Sequence, residues 1–262
     1  MIFPINVQAT LSEMKRVAKG FGLLAGIVLL GLTAPPVLPA QAPGAEQAGL
    51  NGALLKLFAP TTAFSAQAEV RMLDRTGKET LSLTMGFAVI EGRVRVDLDM
   101  SKVRSAEIRP AQLAEFTRMG LDRVITVVRP DKKSALIIYP ALKAYAEVPM
   151  TAETVTEWTT DYQVQKRRLG QEKVDGHPCE RNRVTLTGKG SPPQTATVWN
   201  ATDLAQFPIR IELNQPEATI SLHYTEISRT RPAAKDFEPP PGTVRYESVE
   251  RLVGSRIGKG AQ

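Results

Sequence analysis

The chain contains one cysteine, Cys179, and two histidines, His177 and His223, among 262 residues. A single cysteine cannot form a disulfide within the chain, so stability must come from a conventional hydrophobic core. A zinc site needs three or four nitrogen, sulfur or oxygen ligands at characteristic spacings, and here only His177 and Cys179 are near each other in sequence. We therefore predict no disulfide, no metal and no cofactor.

The sequence VDGHPCERNRVTL, residues 174–186, still places the cysteine two residues from a histidine. Two hypotheses follow: a thiolate nucleophile with its base, or a corner between two strands with a half-buried cysteine at the start of the second. Asp175-Gly176 is typical of a turn, and Pro178 separates the Cys179 and His177 side chains. We favour the strand corner and predict no catalytic residue.

Motifs for nucleotide binding and for acid–base catalysis are also missing. The chain has no phosphate-binding loop, no G-x-S-x-G sequence and no spaced pair of carboxylates that can be assigned to one surface. Its 33 Lys and Arg against 27 Asp and Glu give a formal net charge of +6, with both signs interspersed. That pattern is typical of a solvated surface rather than of a nucleic-acid-binding stripe. We therefore predict a protein that is not an enzyme and does not bind nucleic acid.

The N-terminal apolar run, FGLLAGIVLLGLT at residues 21–33, is shorter than the roughly 20 residues that a membrane-spanning helix needs. It follows a basic stretch that starts at Met14 and precedes a segment rich in Pro and Ala, as in a secretory signal peptide. We predict a signal peptide over residues 1–42, with Met14 as an alternative start, and a mature chain that begins within residues 41–46. The expected location is periplasmic, with transient membrane contact at most. An uncleaved membrane anchor is the competing interpretation.

Three segments after the N-terminus alternate apolar and polar residues with the period of a half-buried strand. They are residues 64–73, 81–89 and 93–100, and the turns between them each contain a glycine. We predict an antiparallel meander. Apolar spacing or flanking Pro and Gly predicts helices at residues 45–60, 109–120 and 151–161.

The rest of the chain continues the strand pattern. A hairpin turning at Pro130-Asp131 is predicted over residues 122–149, five strand-like runs follow residue 161, and a Pro-rich exit at 237–243 leads to a basic tail. Eight to eleven consecutive strands must curl or close to protect their edges. We predict one mainly β (α+β) domain over residues 43–262.

The apolar faces of the first three strands form the candidate binding site. Their side chains would line a concave wall that accommodates an apolar ligand, and the two methionines adapt to irregular shapes. The alternative is that the same faces pack on the helices as a dry core. A charge at Met85 or Leu98 is expected to abolish ligand uptake if the groove exists. The predicted wall consists of Val70, Met72, Leu83, Met85, Phe87, Val96 and Leu98.

An ordered set of motifs resembles the LolA-type periplasmic lipoprotein carriers and a less characterised exported family grouped with them. These are the turn from Gly176 to Cys179, the Trp199–Pro208 segment followed by Arg210 and Glu212, and the closing Phe237–Gly242. The resemblance implies a strongly curved antiparallel half-barrel sheet whose concave face is capped by a few helices and holds acyl chains. It also implies a cavity arginine that steadies the cover. One departure is that Gln206-Phe207 replaces the small glycine that usually precedes Leu-Pro.

Two function classes follow from this resemblance. The first is a non-enzymatic periplasmic binding protein for lipid or for the acyl chains of lipoproteins, in envelope trafficking. The second is an envelope adaptor or sensor that uses the same scaffold for contact with a protein partner.

The densest basic run, QKRRLG at residues 165–170, has two interpretations of its own. Edge strands often contain charged residues that deter pairing with other chains, and we favour that reading. Contact with a phosphate or an anionic lipid is the alternative.

Overall fold

A computed structural model describes residues 52–105, 108–188 and 193–257 of the chain. The predicted signal peptide, and the first part of the predicted helix at 45–60, lie outside the described residues. The strands are β1 (Ala63–Asp74), β2 (Glu79–Ile90), β3 (Arg93–Asp99), β4 (Arg104–Ser105), β5 (Arg123–Arg129), β6 (Ser134–Tyr139), β7 (Ala144–Pro149), β8 (Gln163–Val174), β9 (His177–Thr187), β10 (Gln194–Ala201), β11 (Phe207–Asn214), β12 (Ala218–Ser228) and β13 (Val244–Tyr246).

Three helices interrupt the strands: α1 (Pro110–Met119), α2 (Ala152–Thr159) and α3 (Val249–Ile257). The first two confirm the predictions at 109–120 and 151–161. Helix α1 ends at Gly120, which takes the left-handed φ of 71° that glycine adopts without steric cost. Helix α2 begins at Thr151, whose side chain accepts a hydrogen bond from the backbone N–H of Thr154. A short helical stretch at residues 52–56 precedes β1.

The described strands form one open, curved sheet, which confirms the predicted fold class. Its order is β13-β7-β6-β5-β3-β2-β1-β12-β11-β10-β9-β8, with β4 beside β2, and every pairing except β13–β7 is antiparallel. Within the described residues the meander β1–β2–β3 is placed at the centre of the sheet. The predicted wall therefore lies at the middle of the fold.

Two parts of the prediction need correction. Residues 122–149 form three strands instead of a hairpin, because Pro140 starts a second turn like the one at Pro130. Each proline is compatible with the first position of a tight turn, since its fixed φ suits that position and its missing N–H is not needed there. The basic tail also folds: β13 pairs in parallel with β7, and α3 buries Leu252 and Val253.

The sheet buries apolar side chains on both faces. The inner face holds the predicted wall, residues from β9 to β12 and the N-terminal helical stretch in one cluster. Farther along the same face, α1 and α3 pack beside Ala144 and Tyr139. On the outer face a smaller cluster surrounds Phe237, which is fully buried; it consists of Ile90, Ile125, Val127, Leu136, Ile138 and Phe237.

The predicted Pro-rich exit is a segment that crosses the outer face, and we call residues 229–243 the outer strap. Phe237 is its apolar anchor. Arg231 of the strap pairs with Glu91 (2.5 Å), and Glu238 accepts hydrogen bonds from Lys132 Nζ (2.8 Å) and Arg129 Nη1 (3.0 Å). Ionic contacts on both sides of one phenylalanine thus hold the strap.

We expect the outer strap to loosen in acid. The hydrogen bond from Lys132 lowers the pKa of Glu238 below 4.5, and the hydrogen bond from Arg231 lowers the pKa of Glu91 in the same way. A carboxyl whose pKa is depressed on folding contributes stability that is complete above its unfolded pKa and is lost as the pH falls through the folded value. Hydrogen-exchange protection of residues 229–243, corrected for intrinsic rates, should therefore fall between about pH 5 and about pH 3.

The matched control is Glu238→Gln, which removes one titrating group and keeps the size of the side chain. Its strap should already be less protected at about pH 6 and should change less on acidification. Equal protection of the wild-type strap across the whole range would contradict the prediction.

Candidate functional site

The sheet brings all seven residues of the predicted wall onto the inner face. In the cross-strand register Val70 faces Leu83, Met85 faces Leu98 and Phe87 faces Val96, while Met72 lies opposite Leu81. Facing side chains on adjacent antiparallel strands are close enough to touch. The seven residues therefore form one continuous apolar surface across three strands.

Burial divides this wall into two groups. Val70, Leu83, Met85 and Val96 are at most 4% exposed, so they form its floor. The other three wall residues are only partly buried and pack against the same cluster; they are Met72, Phe87 and Leu98. Apolar side chains that remain partly accessible beside a buried floor are the surface that an apolar ligand would contact.

Aromatic rings fill one end of the wall. Phe58, from the N-terminal stretch, stacks on Phe64 with ring centroids 4.8 Å apart, and Phe64 meets Phe207 edge-on at 5.0 Å. Tyr224 lies 5.9 Å from Phe87, and burial raises the pKa of its hydroxyl. Such offset and edge-on pairs stabilise a rigid end to the wall.

Sequence reasoning missed Phe58, Phe207 and Tyr224 as parts of this site. Phe207 begins β11 and Tyr224 lies in β12, more than 100 residues from the wall strands. The alternation within β12 signals a buried side for Tyr224, but only the pairing of β12 with β1 places it beside Phe87.

The opposite end of the wall lies under a loose cover. Leu113 of α1, Trp158 of α2, Met100 and Met150 contact the core cluster, yet each remains partly exposed. Helix α1 has no fully buried residue at all. An amphipathic helix that closes a dry core normally buries its apolar stripe, and α1 does not do so.

A cavity of about 250 Å³ opens on the other side of the sheet. Its polar lining includes Gln67, Arg95, Asp97 and Glu226, and Gly86 forms part of its floor. The Asp97 carboxylate is already bound by Arg123 at 2.9 and 2.8 Å. Phe87 of the wall also borders this cavity, but the polar lining does not suit an acyl chain.

The turn around Cys179 is a strand corner, as predicted. Asp175 and Gly176 take φ values of 49° and 87° between β8 and β9. Cys179 is more buried than expected, with 2% exposure, and burial raises the pKa of its thiol. Its Sγ donates to the His177 carbonyl oxygen (3.4 Å), while the His177 ring bonds Asp203 Oδ2 through Nδ1 (2.8 Å). The imidazole is therefore engaged away from the thiol, and a raised thiol pKa disfavours a thiolate nucleophile.

We expect Cys179→Ser to leave ligand binding unchanged. The serine hydroxyl can donate to the same His177 carbonyl, so the free energy of unfolding should fall by only about 1 kcal/mol. Thermal unfolding and titration with a fluorescent fatty acid, run on both proteins, would check this. Loss of binding in a variant whose unfolding temperature is unchanged would instead assign a chemical role to the thiol.

The remaining predictions about site residues have the following outcomes. Within the described ranges, no group of three or more His, Cys, Asp or Glu residues is placed to hold a metal ion. The QKRRLG run lies in β8, an exposed edge strand of the sheet, as predicted. Among described residues the buried arginine is Arg129, which faces the outer strap, so the cavity arginine implied by the resemblance is not assigned.

The loop that departs from the expected motif adopts an unusual backbone. Gln206 has a φ of 62°, in the left-handed region where glycine is favoured. The Gln206 carbonyl accepts a hydrogen bond from Asn200 Nδ2 (2.8 Å), and its N–H donates to the Ala201 carbonyl. The conformation that a glycine would take freely is therefore retained and held by neighbouring polar groups.

Comparisons with known proteins give a family and several similar folds. A family model described as a domain of unknown function, DUF4412, matches residues 76–207. No curated protein matches the chain.

No described helix is long and apolar enough to span a bilayer.

Several solved structures are similar in fold. The lipoprotein LppX of Mycobacterium tuberculosis is 13% identical, with a TM-score of 0.37 and coverage of 69% of this chain and 93% of LppX. The LolA superfamily protein NE2245 of Nitrosomonas europaea is 11% identical, with a TM-score of 0.36 and coverage of 73% and 96%. A MucA/MucB complex of Pseudomonas aeruginosa gives 13% identity, a TM-score of 0.35 and coverage of 78% and 63%. These similarities concern the fold alone, and the sheet described above agrees in class with the one that the LolA resemblance implies.

Proposed function

We propose that this chain, which belongs to the DUF4412 family, is an exported, non-enzymatic binding protein for lipid or for the acyl chains of lipoproteins. One observation supports this most directly. Apolar side chains on the wall, such as Leu98, and on the covering layer, such as Leu113 and Trp158, pack against the same core cluster and are left partly exposed. An apolar ligand between the layers would complete the burial of both.

The energetics of such a ligand are favourable. An acyl chain of about sixteen methylenes, at about 0.8 kcal/mol each, releases on the order of 12 kcal/mol on full burial. Loss of translational freedom and ordering of the cover oppose this gain by several kcal/mol. Partial burial of the acyl chain along the three-stranded wall is therefore enough for useful affinity.

The composition of the site also fits a flexible ligand. Met72 and Met85 on the wall, and Met100 and Met150 near the cover, all lie within or pack against one cluster. Unbranched thioether side chains adjust to irregular apolar shapes at little cost. At the other end the stacked rings of Phe58 and Phe64 provide a rigid stop.

A titration with a fluorescent long-chain fatty acid tests this function. We expect saturable uptake by the wild-type protein, and native mass spectrometry of protein purified from its own envelope should show co-purifying lipid. Val244→Asp is a suitable control variant, because Val244 is 59% exposed and lies outside the wall. Its uptake should match that of the wild type.

Absence of both uptake and co-purifying lipid would overturn the proposal. That result would favour the alternative in which the scaffold is an envelope adaptor or sensor with an unoccupied inner face. A protein partner would then be expected to co-purify instead.

Export is a separate part of the proposal and rests on the sequence of residues 1–42. A signal peptide there would place the mature domain, residues 43–262, in the periplasm. The intact mass of the exported protein decides this point. A mass that starts within residues 41–46 supports export, whereas one that retains residues 14–40 indicates a membrane anchor.

A further inference from the structure

Strand β8 is a long and unprotected edge of the sheet. It spans twelve residues and pairs only with β9, so the backbone groups along its other side have no strand partner among the described residues. Nearly every residue from Gln163 to Val174 is exposed, on both faces of the strand. The other end of the sheet differs, because β13 has three residues and lies beside α3.

The pairing of β8 with β9 is interrupted once along its length. From Gln163 to Arg168 the register runs without interruption, and a bulge follows between Arg168 and Gly170. We call residues 163–168 the β8 edge. An added strand could pair along these six residues without crossing the bulge.

The β8 edge has three consecutive basic residues, Lys166, Arg167 and Arg168. None of the three has a carboxylate oxygen within ion-pair distance in the described parts of the chain, and neither has Arg183, which faces Arg167 on β9. Facing like charges destabilise an antiparallel pair. Most of the other arginines in the described strands are paired, as Arg123 is with Asp97. The β8 edge is therefore an uncompensated positive patch.

Charge on an edge strand deters pairing with neutral or basic strands, which protects against aggregation. The same charge attracts an acidic strand. Side chains alternate across β8, so Lys166 and Arg168 lie on one face and Arg167 lies on the other. A flat membrane surface lying against one face would reach only one of these two sets. An extended peptide added at the edge would present side chains to both.

We propose that the β8 edge binds an acidic, extended segment of a partner protein as an additional strand of the sheet. Backbone hydrogen bonds along residues 163–168 would provide affinity, and carboxylates of the segment would pair with the three cations. Val164, which is 38% exposed on the same edge, would contact an apolar residue of the segment. This interaction is independent of acyl binding at the inner face.

The probe is a fluorescein-labelled synthetic peptide of about eight residues, with consecutive glutamates flanked by valine and threonine. We expect fluorescence anisotropy to show saturable binding to the full-length mature protein, and no binding of a peptide in which lysines replace the glutamates. The triple variant Lys166→Gln/Arg167→Gln/Arg168→Gln should bind the acidic peptide about tenfold more weakly.

The matched control removes the same amount of charge elsewhere. The side chains of Lys78, Arg229 and Lys235 are exposed and form no ion pair with a carboxylate of the described residues. The variant Lys78→Gln/Arg229→Gln/Lys235→Gln therefore changes the net charge equally, and the hydrogen bond from the Lys78 backbone N–H to Asp74 is unaffected. Binding by this control should match the wild type. Equal weakening of both triple variants would show a non-specific charge effect and would overturn the proposal.

Strand addition requires the backbone amide groups along one edge of the peptide, whereas attraction between charges does not. In an extended peptide, alternate amide groups point to the same edge. Methylation of the amide nitrogens on one edge should abolish binding, while methylation on the other edge should leave it intact. Equal tolerance of both methylated peptides would overturn strand addition.

Vesicles of phosphatidylglycerol and phosphatidylcholine test the membrane alternative. Vesicle binding that depends on the three β8 cations, with no binding of the acidic peptide, would also overturn the proposal. No acyl probe is present in any of these measurements, so failure here is distinguishable from failure of the proposed lipid-binding function.

Discussion

Met85→Asp should unfold the protein, whereas Leu98→Asp, at the facing position one strand away, should leave it folded and unable to take up an acyl probe. Met85 is 4% exposed in the floor of the wall. A carboxylate there has no partner, and we expect a loss of more than about 4 kcal/mol. Leu98 is partly buried, so water can still reach a charge at this position. The expected cost is about 1–3 kcal/mol.

Urea denaturation of both variants measures the stability difference, and titration with a fluorescent fatty acid measures uptake. Leu98→Met keeps the position apolar at similar volume and should retain both stability and uptake. If Leu98→Asp proves as unstable as Met85→Asp, the wall is a dry core. If Leu98→Asp is stable and takes up the probe normally, the ligand does not contact this part of the wall.

Removal of the two carboxylates around Arg129 should destabilise the protein strongly. The Arg129 guanidinium is 4% exposed and bonds Glu147 Oε1 at 2.5 Å and Glu238 Oε2 at 3.0 Å. The double variant Glu147→Gln/Glu238→Gln leaves this buried cation without a compensating charge. A loss of about 3–5 kcal/mol in the free energy of unfolding is expected.

Removal of Arg129 itself should lower the free energy of unfolding much less. In Arg129→Met the two carboxylates keep other cations, because Lys132 bonds Glu238 and Arg245 pairs with Glu147 at 3.2 Å. The triple variant Arg129→Met/Glu147→Gln/Glu238→Gln should recover much of the stability that the double variant loses, since no buried charge remains. Chemical denaturation of the three variants tests this asymmetry. An equally unstable triple variant would show that packing, and not charge, is responsible.

Local patterns predicted the elements of this fold well. The alternation over residues 64–73, 81–89 and 93–100 located β1, β2 and β3 to within two residues at each end, because a half-buried strand imposes a period of two on its own sequence. Gly120 marked the end of α1, since few other residues adopt its left-handed conformation without cost. The inward set from Val70 to Leu98 follows from the same alternation.

Errors arose where a pattern was short or had a second meaning. The three strands between 123 and 149 looked like two, because Pro140 was read as part of a strand instead of the start of a tight turn. The helix at Val249–Ile257 was missed because its basic and polar residues obscured the two side chains that it buries, Leu252 and Val253.

The sequence by itself determined which side chains of β1, β2 and β3 share a face, because that depends only on neighbours two residues apart. Only the tertiary structure decided what surrounds that face. The pairing of β12 with β1 places Tyr224 beside Phe87, and the path of the outer strap places Phe237 and Glu238 on the other side of the sheet. The free edge of β8 likewise exists only because the sheet ends there. These contacts join residues far apart in the chain. Which of them form depends on the packing energy of the whole sheet, and the alternation within a single strand carries no information about it.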